Sequence, residues 1–400
     1  VYLYAAFPEE SLRGPSGGGV FCAENLDTWY GYLHSYKLTA MRLLWLVVFS
    51  AFLFAGERDA PIRAAMRQVI AAGEVPGAVT LIVRPKGNSH FAAHRKNFRR
   101  NSIFWIASMT KPVIAVAILM LAEEGKLGID DRLGRHIPEF RDSPVTLRHL
   151  LSHTSGLAEA TPEELARLRK LADLVPLIAS RPLRFAPGDR WQYCQSGINL
   201  LGRVLEVVSG LPLEEFLSRR LFRPLRMPDT TFYLEPRQLP RLIMPVRRED
   251  SGFKPATNPV LYGKSPTNRE RYPAANGGLF STAADYGRFA RMLLRGGELD
   301  GRRCLSAASM AALTRNETGE GKAGFLPGHA WGLGVGIVTN PLGKTERLAP
   351  GTFGHGGAFG TQCWISPAQG LALVLMVRRG NFSNADDLAP RHAFTESALN

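Results

Sequence analysis

The chain reads as an α+β domain: one antiparallel sheet takes strands from both ends of the sequence, and a mainly helical lobe is inserted between them. Short apolar, β-branched runs stand near each end, at Gly77–Val83 and at Trp331–Val338, Phe359–Ile365 and Leu371–Val377. Segments of helical period crowd the middle, so the lobe falls at roughly 125–275. The 400 residues are 45% hydrophobic, enough for a substantial core.

In chain order, Asp59–Ala72 carries Ile62, Ala65, Met66 and Ile70 at helical spacing and stops before Gly73, and Gly77–Val83 is a strand. Arg84–Arg100 is basic and irregular, and Ile103–Ile106 is a short apolar lead. Pro112 has no N–H to give and is tolerated only near a helix start, so the next helix begins at about Ser108. From Val113 to Leu121 it has almost no polar face and must run through the core, ending at Glu123-Glu124-Gly125. Asp130–Phe140 is a loop, Val145–Leu151 a short helix capped by Thr146, and Pro162–Ile178 one amphipathic helix. Beyond the Arg181–Arg190 loop, Trp191–Gly197 opens a helix over Ile198–Val208, which Gly210 stops; Leu213–Leu221 is helical too. The Pro-rich Arg237–Tyr272 stretch reads as loops covering a site, and Thr282–Leu294 and Ser306–Thr314 as helices. A turn at Ser366–Gly370 makes the last two strands a hairpin, and Arg391–Leu399 closes the chain as a helix.

The formal charge is +14, yet the arginines are scattered, with no basic helix or aromatic-interleaved stripe. That pattern excludes nucleic acid and fits at most weak association with an anionic cell envelope. Met41–Ala55 has a basic start, an apolar stretch and a small residue at its end, the form of a secretory signal, and is too short for a comfortable membrane span. The sequence is therefore expected to divide into a non-native leader over 1–40, a signal peptide over 41–55 and a domain over 56–400; the expected location is periplasmic or secreted. Cys22 lies in the leader. Cys194, Cys304 and Cys363 form no Cys-x-x-Cys pair, so packing is their expected role, with one bridge open to them. His149 and His153 stand four apart without a carboxylate or third ligand close by, so no metal is expected. No phosphate loop, dinucleotide fingerprint or HExxH motif occurs, and no cofactor is implied.

The chemistry points to Ser108. Residues three apart share a helix face, which puts the Lys111 amine within reach of the Ser108 hydroxyl. A serine attacks poorly unless a base takes its proton, and lysine serves only when its pKa is lowered, as burial in an apolar helix would do. Ser251-Gly252-Phe253-Lys254 repeats the spacing, but in a loop-like stretch before Pro255 with no helix behind it. Gly14-Pro15-Ser16-Gly17-Gly18 formally matches the nucleophile elbow of α/β-hydrolases but follows no strand.

Five pieces stand in one order: Ile106-Ala107-Ser108-Met109-Thr110-Lys111-Pro112, Leu150-Leu151-Ser152-His153-Thr154-Ser155-Gly156-Leu157, Trp191–Gly197, Asn276-Gly277-Gly278-Leu279-Phe280-Ser281-Thr282 and Gly354-His355-Gly356-Gly357. On these the chain, over about Pro76–Arg378, resembles the serine β-lactamase and penicillin-binding-protein superfamily. The nearest likeness is to its class C-like branch of β-lactamases, D-alanyl-D-alanine carboxypeptidases and family VIII carboxylesterases. The resemblance implies a β-lactamase/transpeptidase-like fold and a site in which Ser108 is acylated beside Lys111. Tyr193 matches the tyrosine of the Tyr-x-Asn motif, implied to be anionic or to share a proton with Lys111. His355-Gly356-Gly357 aligns with the Lys-Thr-Gly or His-Thr-Gly triplet; the N–H groups of Ser108 and Ala358 would form the oxyanion hole. Lys344-Thr345-Glu346 lacks the glycine and is set aside.

Gln195 stands where the family has Asn, Gly356 lacks the Thr hydroxyl, and His355 offers a weaker, pH-dependent charge for a substrate carboxylate. The segment between Val83 and Ile103 is short, which implies a hairpin trimmed from the sheet. The resulting expectation is a monomeric, exported serine acyl hydrolase working through a Ser108 acyl-enzyme. Its substrate would be a small carboxylic ester or a D-amino-acid peptide such as one from peptidoglycan. The alternatives are a β-lactamase proper acting on a β-lactam, and a non-catalytic sensor or binding protein of the same fold.

Overall fold

The computed structural model describes residues 59–319, 323–384 and 386–400; Met41–Ala55 and Gly14–Gly18 lie outside them. The sheet is built from β1 (Ala78–Arg84), β2 (Gly87–His94), β3 (His329–Trp331), β4 (Gly336–Val338), β5 (Phe353–Gly356), β6 (Gln362–Ser366) and β7 (Leu371–Met376). Their order is β2-β1-β7-β6-β5-β4-β3, antiparallel throughout. Leu81 pairs with Val374 where the two ends of the chain meet, and His355 pairs with Cys363. β1 and β7 are buried on both faces, which is why they read as near-continuous apolar runs. Val79, Leu81, Val83, Ala372, Val374 and Met376 face one core, whereas Ala78, Ile82, Leu371, Leu373 and Leu375 face the other.

The second core is closed by helix α1 over 59–71, through Ile62 and Met66, and by Phe394 of the C-terminal helix Ala389–Leu399. On the first face lie α2 (Thr110–Glu123), whose residues from Thr110 to Leu121 are all buried, and a helix over Ala283–Leu294 that packs on β1 and β7. The lobe contributes a short helix, Leu147–Leu151, and a longer one, Gln195–Ser209, that contacts α2. A two-stranded ribbon pairs Ile103–Trp105 with Phe280–Thr282 and leads straight into the nucleophile turn.

Four expectations need correction. The basic 84–100 segment is not irregular, and no hairpin is lost there: β2 pairs with β1 across a turn at Pro85-Lys86. Its core-facing residues are small or ring-shaped. The His90 and His94 rings both hydrogen-bond the Thr80 hydroxyl at 2.7 Å, and the arginines fall beyond the strand. The helix expected over 162–178 is broken into Pro162–Arg167, a 3-10 turn at Leu171–Asp173 and Leu174–Ala179. There the Asp173 carboxylate takes the N–H groups of Arg169 and Lys170, and Pro176 has none to donate. Trp331–Val338 is two strands, because Gly334 turns the chain at φ +74°. Past Leu217 the helical segment loosens into a π-type turn over Ser218–Phe222.

Cys194, Cys304 and Cys363 are all free thiols. Among the described residues no helix is long and apolar enough to cross a membrane.

Candidate active site

The site begins with a strained turn. Ala107 sits at φ +46°, a conformation that costs an L-residue about 1–2 kcal/mol. Its neighbours hold it there: Ile106 N–H donates to Leu279 O at 3.0 Å, Trp105 Nε1 to Gly277 O at 2.5 Å and the Thr361 hydroxyl to Ile106 O at 3.3 Å. The 3-10 turn Ala107–Met109 then presents Ser108, half-buried, at the foot of α2.

Lys111 is completely buried, and its Nζ lies 3.0 Å from Ser108 Oγ, 2.8 Å from Gln195 Oε1 and 2.7 Å from Asn276 O. Burial lowers its pKa to about 7, against the opposing influence of Glu159 and Cys194. A neutral amine has two hydrogens and one lone pair. The two carbonyl oxygens accept the hydrogens, which leaves the lone pair for the Ser108 O–H. Protonated, the same amine donates to all three oxygens, so the contacts suit both the base and its conjugate acid.

Tyr193 places its ring 4.6 Å under the Lys111 nitrogen, and its hydroxyl lies 3.4 Å from His355 Nε2. Burial pushes its phenol well above the ordinary range. That direction favours the neutral phenol over the phenolate, one of the two states the resemblance implies for Tyr193, the other being a proton shared with Lys111. The His355 reading changes likewise. Its Nδ1–H donates to Gly356 O at 2.6 Å, which makes Nε2 an acceptor toward the tyrosine. Burial and the nearby lysine push its pKa down to about 3, so His355 offers a substrate carboxylate no charge at neutral pH.

Gln195 is the first residue of its helix, and its extra methylene lets one Oε1 accept from both Lys111 and Asn276 Nδ2, the latter at 2.9 Å. Glu159, which carries no sequence signal, anchors that helix start. Its carboxylate accepts the Gln195 N–H, the Ser196 N–H at 2.8 Å and the Ser196 hydroxyl at 2.6 Å. An anion at a helix N-terminus is favoured by both the dipole and the open N–H groups. Glu159→Gln is expected to lower kcat/KM for an ester about tenfold and to cost about 1–2 kcal/mol in urea unfolding, because Gln195 loses its anchor.

The two histidines of the His149/His153 pair have separate structural roles. His149 Nδ1 accepts the Thr146 N–H in a capping box, and His153 Nδ1 accepts the Cys194 N–H at 3.1 Å under the Tyr193 ring, 4.5 Å away. No cluster able to hold a metal occurs among the described residues. Ser251–Lys254 lies in an exposed ribbon, and Lys344-Thr345-Glu346 falls in and beside a 3-10 turn rather than a strand.

The glycines of β5 are required by space. A Cβ at Gly357 would stand 2.6 Å from Ile106 O, so the strand end, with Ala358 after it, is pressed against the nucleophile turn. At Gly356 a Cβ would meet Asp386 Oδ1 at 2.1 Å and Gln362 Nε2 at 2.6 Å. Gly356→Thr is expected to destabilise the fold by about 1–3 kcal/mol through overpacking, read as a lowered urea midpoint, rather than to restore the family hydroxyl. Over the mouth, Phe325 (39% exposed) meets the Tyr193 ring at 4.9 Å, with Trp191 and Trp331 behind. Neither Phe325 nor Trp331 was marked by a motif.

The family model described as Beta-lactamase matches residues 62–396. The chain belongs to the Beta-lactamase family. It is 32% identical to Protein Rv1367c of Mycobacterium tuberculosis over 361 residues, 79% of this chain and 89% of that protein. It is 29% identical to Esterase EstB of Burkholderia gladioli over 314 residues, 70% of this chain and 78% of the esterase. Among solved structures, EstCE1, described as a hydrolase with promiscuous acyltransferase activity, superposes with a TM-score of 0.74 at 23% identity. That match covers 86% of this chain and all of the other. A penicillin-binding-protein homologue from Caulobacter crescentus gives 0.71 at 23% identity over 86% and 98%. The Beta-lactamase family is one of serine hydrolases that includes esterases and penicillin-binding proteins, and both neighbours share this chain's fold.

Proposed function

We propose that the protein is an exported serine acyl hydrolase that forms an acyl-enzyme on Ser108, with a carboxylic ester as its substrate class and a D-amino-acid peptide as the next. The observation that carries this reading is the Ser108–Lys111 pair: a buried amine with a pKa near 7, its two hydrogens occupied, 3.0 Å from a serine hydroxyl. As the Ser108 Oγ–acyl carbon bond forms, the hydroxyl proton passes to the Lys111 lone pair. The Ser108 and Ala358 N–H groups face the developing oxyanion, each such donor being worth about 3 kcal/mol. Lys111 then returns the proton to the leaving alkoxide as its bond to the acyl carbon breaks. In the second half water gives a proton to the same amine as its oxygen bonds the acyl carbon, and the amine passes that proton to Ser108 Oγ as the ester bond breaks and the acid leaves. Tyr193 remains protonated, its hydroxyl beside His355.

Efficient β-lactam hydrolysis fits less well, because the β5 edge carries neither a cation nor a hydroxyl for a carboxylate. The test is hydrolysis of p-nitrophenyl butyrate beside a chromogenic cephalosporin, with peptide mapping of the acylated protein. Butyryl on the Ser108 peptide, and ester turnover exceeding that of the cephalosporin by about a hundredfold or more, is the expected result. A stable adduct on Ser108 from the cephalosporin, with no ester turnover, would replace the hydrolase reading by that of a binding protein.

A further inference from the structure

We propose that Asn276 is a positioning residue for the base: its side-chain amide decides which end of the Gln195 amide faces Lys111. This rests on the hydrolase reading above and gives the longer side chain at position 195 its partner. Asn276 lies in a turn that the Gly278 N–H closes on Ala274 O at 2.7 Å. Its carbonyl oxygen accepts from Lys111 Nζ at 2.7 Å, its N–H donates to Asn199 Oδ1 at 3.0 Å, and its Nδ2 donates to Gln195 Oε1 at 2.9 Å. Gln195 and Asn199 stand four apart on one helix, so both face this turn. Asn276 thereby ties the lobe helix Gln195–Ser209 to the nucleophile helix α2.

An amide turned by 180° about its last bond keeps its shape but exchanges an acceptor for a donor. Lys111 needs the acceptor. As an ammonium it would meet a donor if Gln195 Nε2 faced it; as a neutral amine it would spend its lone pair on that N–H and have none for Ser108. Among the described residues Oε1 is held by two donors, Lys111 Nζ at 2.8 Å and Asn276 Nδ2. Turning Gln195 alone would set two NH2 groups 2.9 Å apart. Turning both amides together would aim an NH2 at the lysine, which its protonated form opposes. Asn276 Oδ1 is buried without a partner, so the Asn276 side chain answers to Gln195 and the two amides act as one unit. The titratable groups around the amine are Glu159, Cys194, Tyr193, His153 and His355. No hydrogen bond among the described residues joins any of them to either side-chain amide.

The experiment follows single-turnover release of p-nitrophenol from p-nitrophenyl butyrate across pH, so that plateau rates and inflections are both read. The proteins are wild type, Gln195→Ala, Asn276→Ala, the double variant and Asn276→Asp, with Ser108→Ala as the control. Asn276→Ala is expected to lower the plateau about tenfold. Because Asn276 acts through Gln195, the double variant is expected to fall within about twofold of Gln195→Ala alone. Asn276→Asp keeps the shape without the donor, and it keeps the test open if the alanine variant fails to fold. It is expected to be at least as slow as Asn276→Ala. Its carboxylate, roughly 6 Å or less from the amine, should also move the inflection up from about 7 by about one to two pH units. Losses that multiply in the double variant overturn the inference, as does Asn276→Ala or Asn276→Asp acylating within about twofold of wild type. An inflection left in place by the new carboxylate overturns it too. Release that persists in Ser108→Ala overturns the hydrolase reading, and this inference with it.

Discussion

Ser108→Ala is expected to lower turnover of a short-chain ester by at least about 10⁴-fold while the folded state persists. The loss is large because nothing nearby can replace the oxygen. Cys194 is the thiol closest in sequence to the site tyrosine, but it is buried and pushed up to about 12, so it supplies no thiolate at neutral pH. The fold should not suffer, since Ser108 is half-buried and the turn is held by Ile106, Trp105 and Thr361 rather than by its own side chain. Steady-state turnover with a thermal melt of each protein separates loss of chemistry from loss of structure. A variant retaining a tenth of wild-type activity would contradict the assignment.

Lys111→Met is expected to lower kcat/KM by about 10³-fold, within the usual range for removing a positioned base, and Lys111→Arg to be equally poor because a guanidinium keeps its proton. The lysine also leaves a mark on stability whose sign is fixed. Unfolded, it holds its proton up to about 10.5; folded, only to about 7. Between those values the unfolded state binds more protons, so this group's contribution makes stability rise with pH across that window. Below about 7 both states are protonated and the full cost of burying the charge is present. Urea unfolding of wild type and Lys111→Met at pH 7 and pH 9 should show the difference between the two proteins shifting in favour of the wild type at the higher pH. An equal shift in both proteins would remove Lys111 as its source.

What the sequence disclosed was mostly local. Pro112 and the apolar run behind it place the nucleophile helix, and Ser108 and Lys111 share a turn because they are three residues apart. β1 and β7 showed themselves because burial on both faces leaves near-continuous apolar runs, broken only by Thr80 before the terminal Arg84. Glu159 was silent for the opposite reason. It gains its role across the fold, from the start of a helix 36 residues on. β2 was hidden by composition, its flanking arginines masking a strand that Thr80 and two histidines tie to β1. Of the charge states only that of Lys111 was legible, because the apolar helix announces its burial; the same burial raises the Tyr193 phenol and lowers the His355 imidazole, and neither has a local signal in the sequence.

The most direct test is the pH dependence of the acylation step itself, followed as the pre-steady-state release of p-nitrophenol under single-turnover conditions. With Lys111 as the base, acylation should rise with pH through one inflection near 7 and level off above it. An inflection near or above 10, or a flat profile, would contradict the account; the first would return the proton to a tyrosinate at Tyr193, and the second would remove a titrating base altogether.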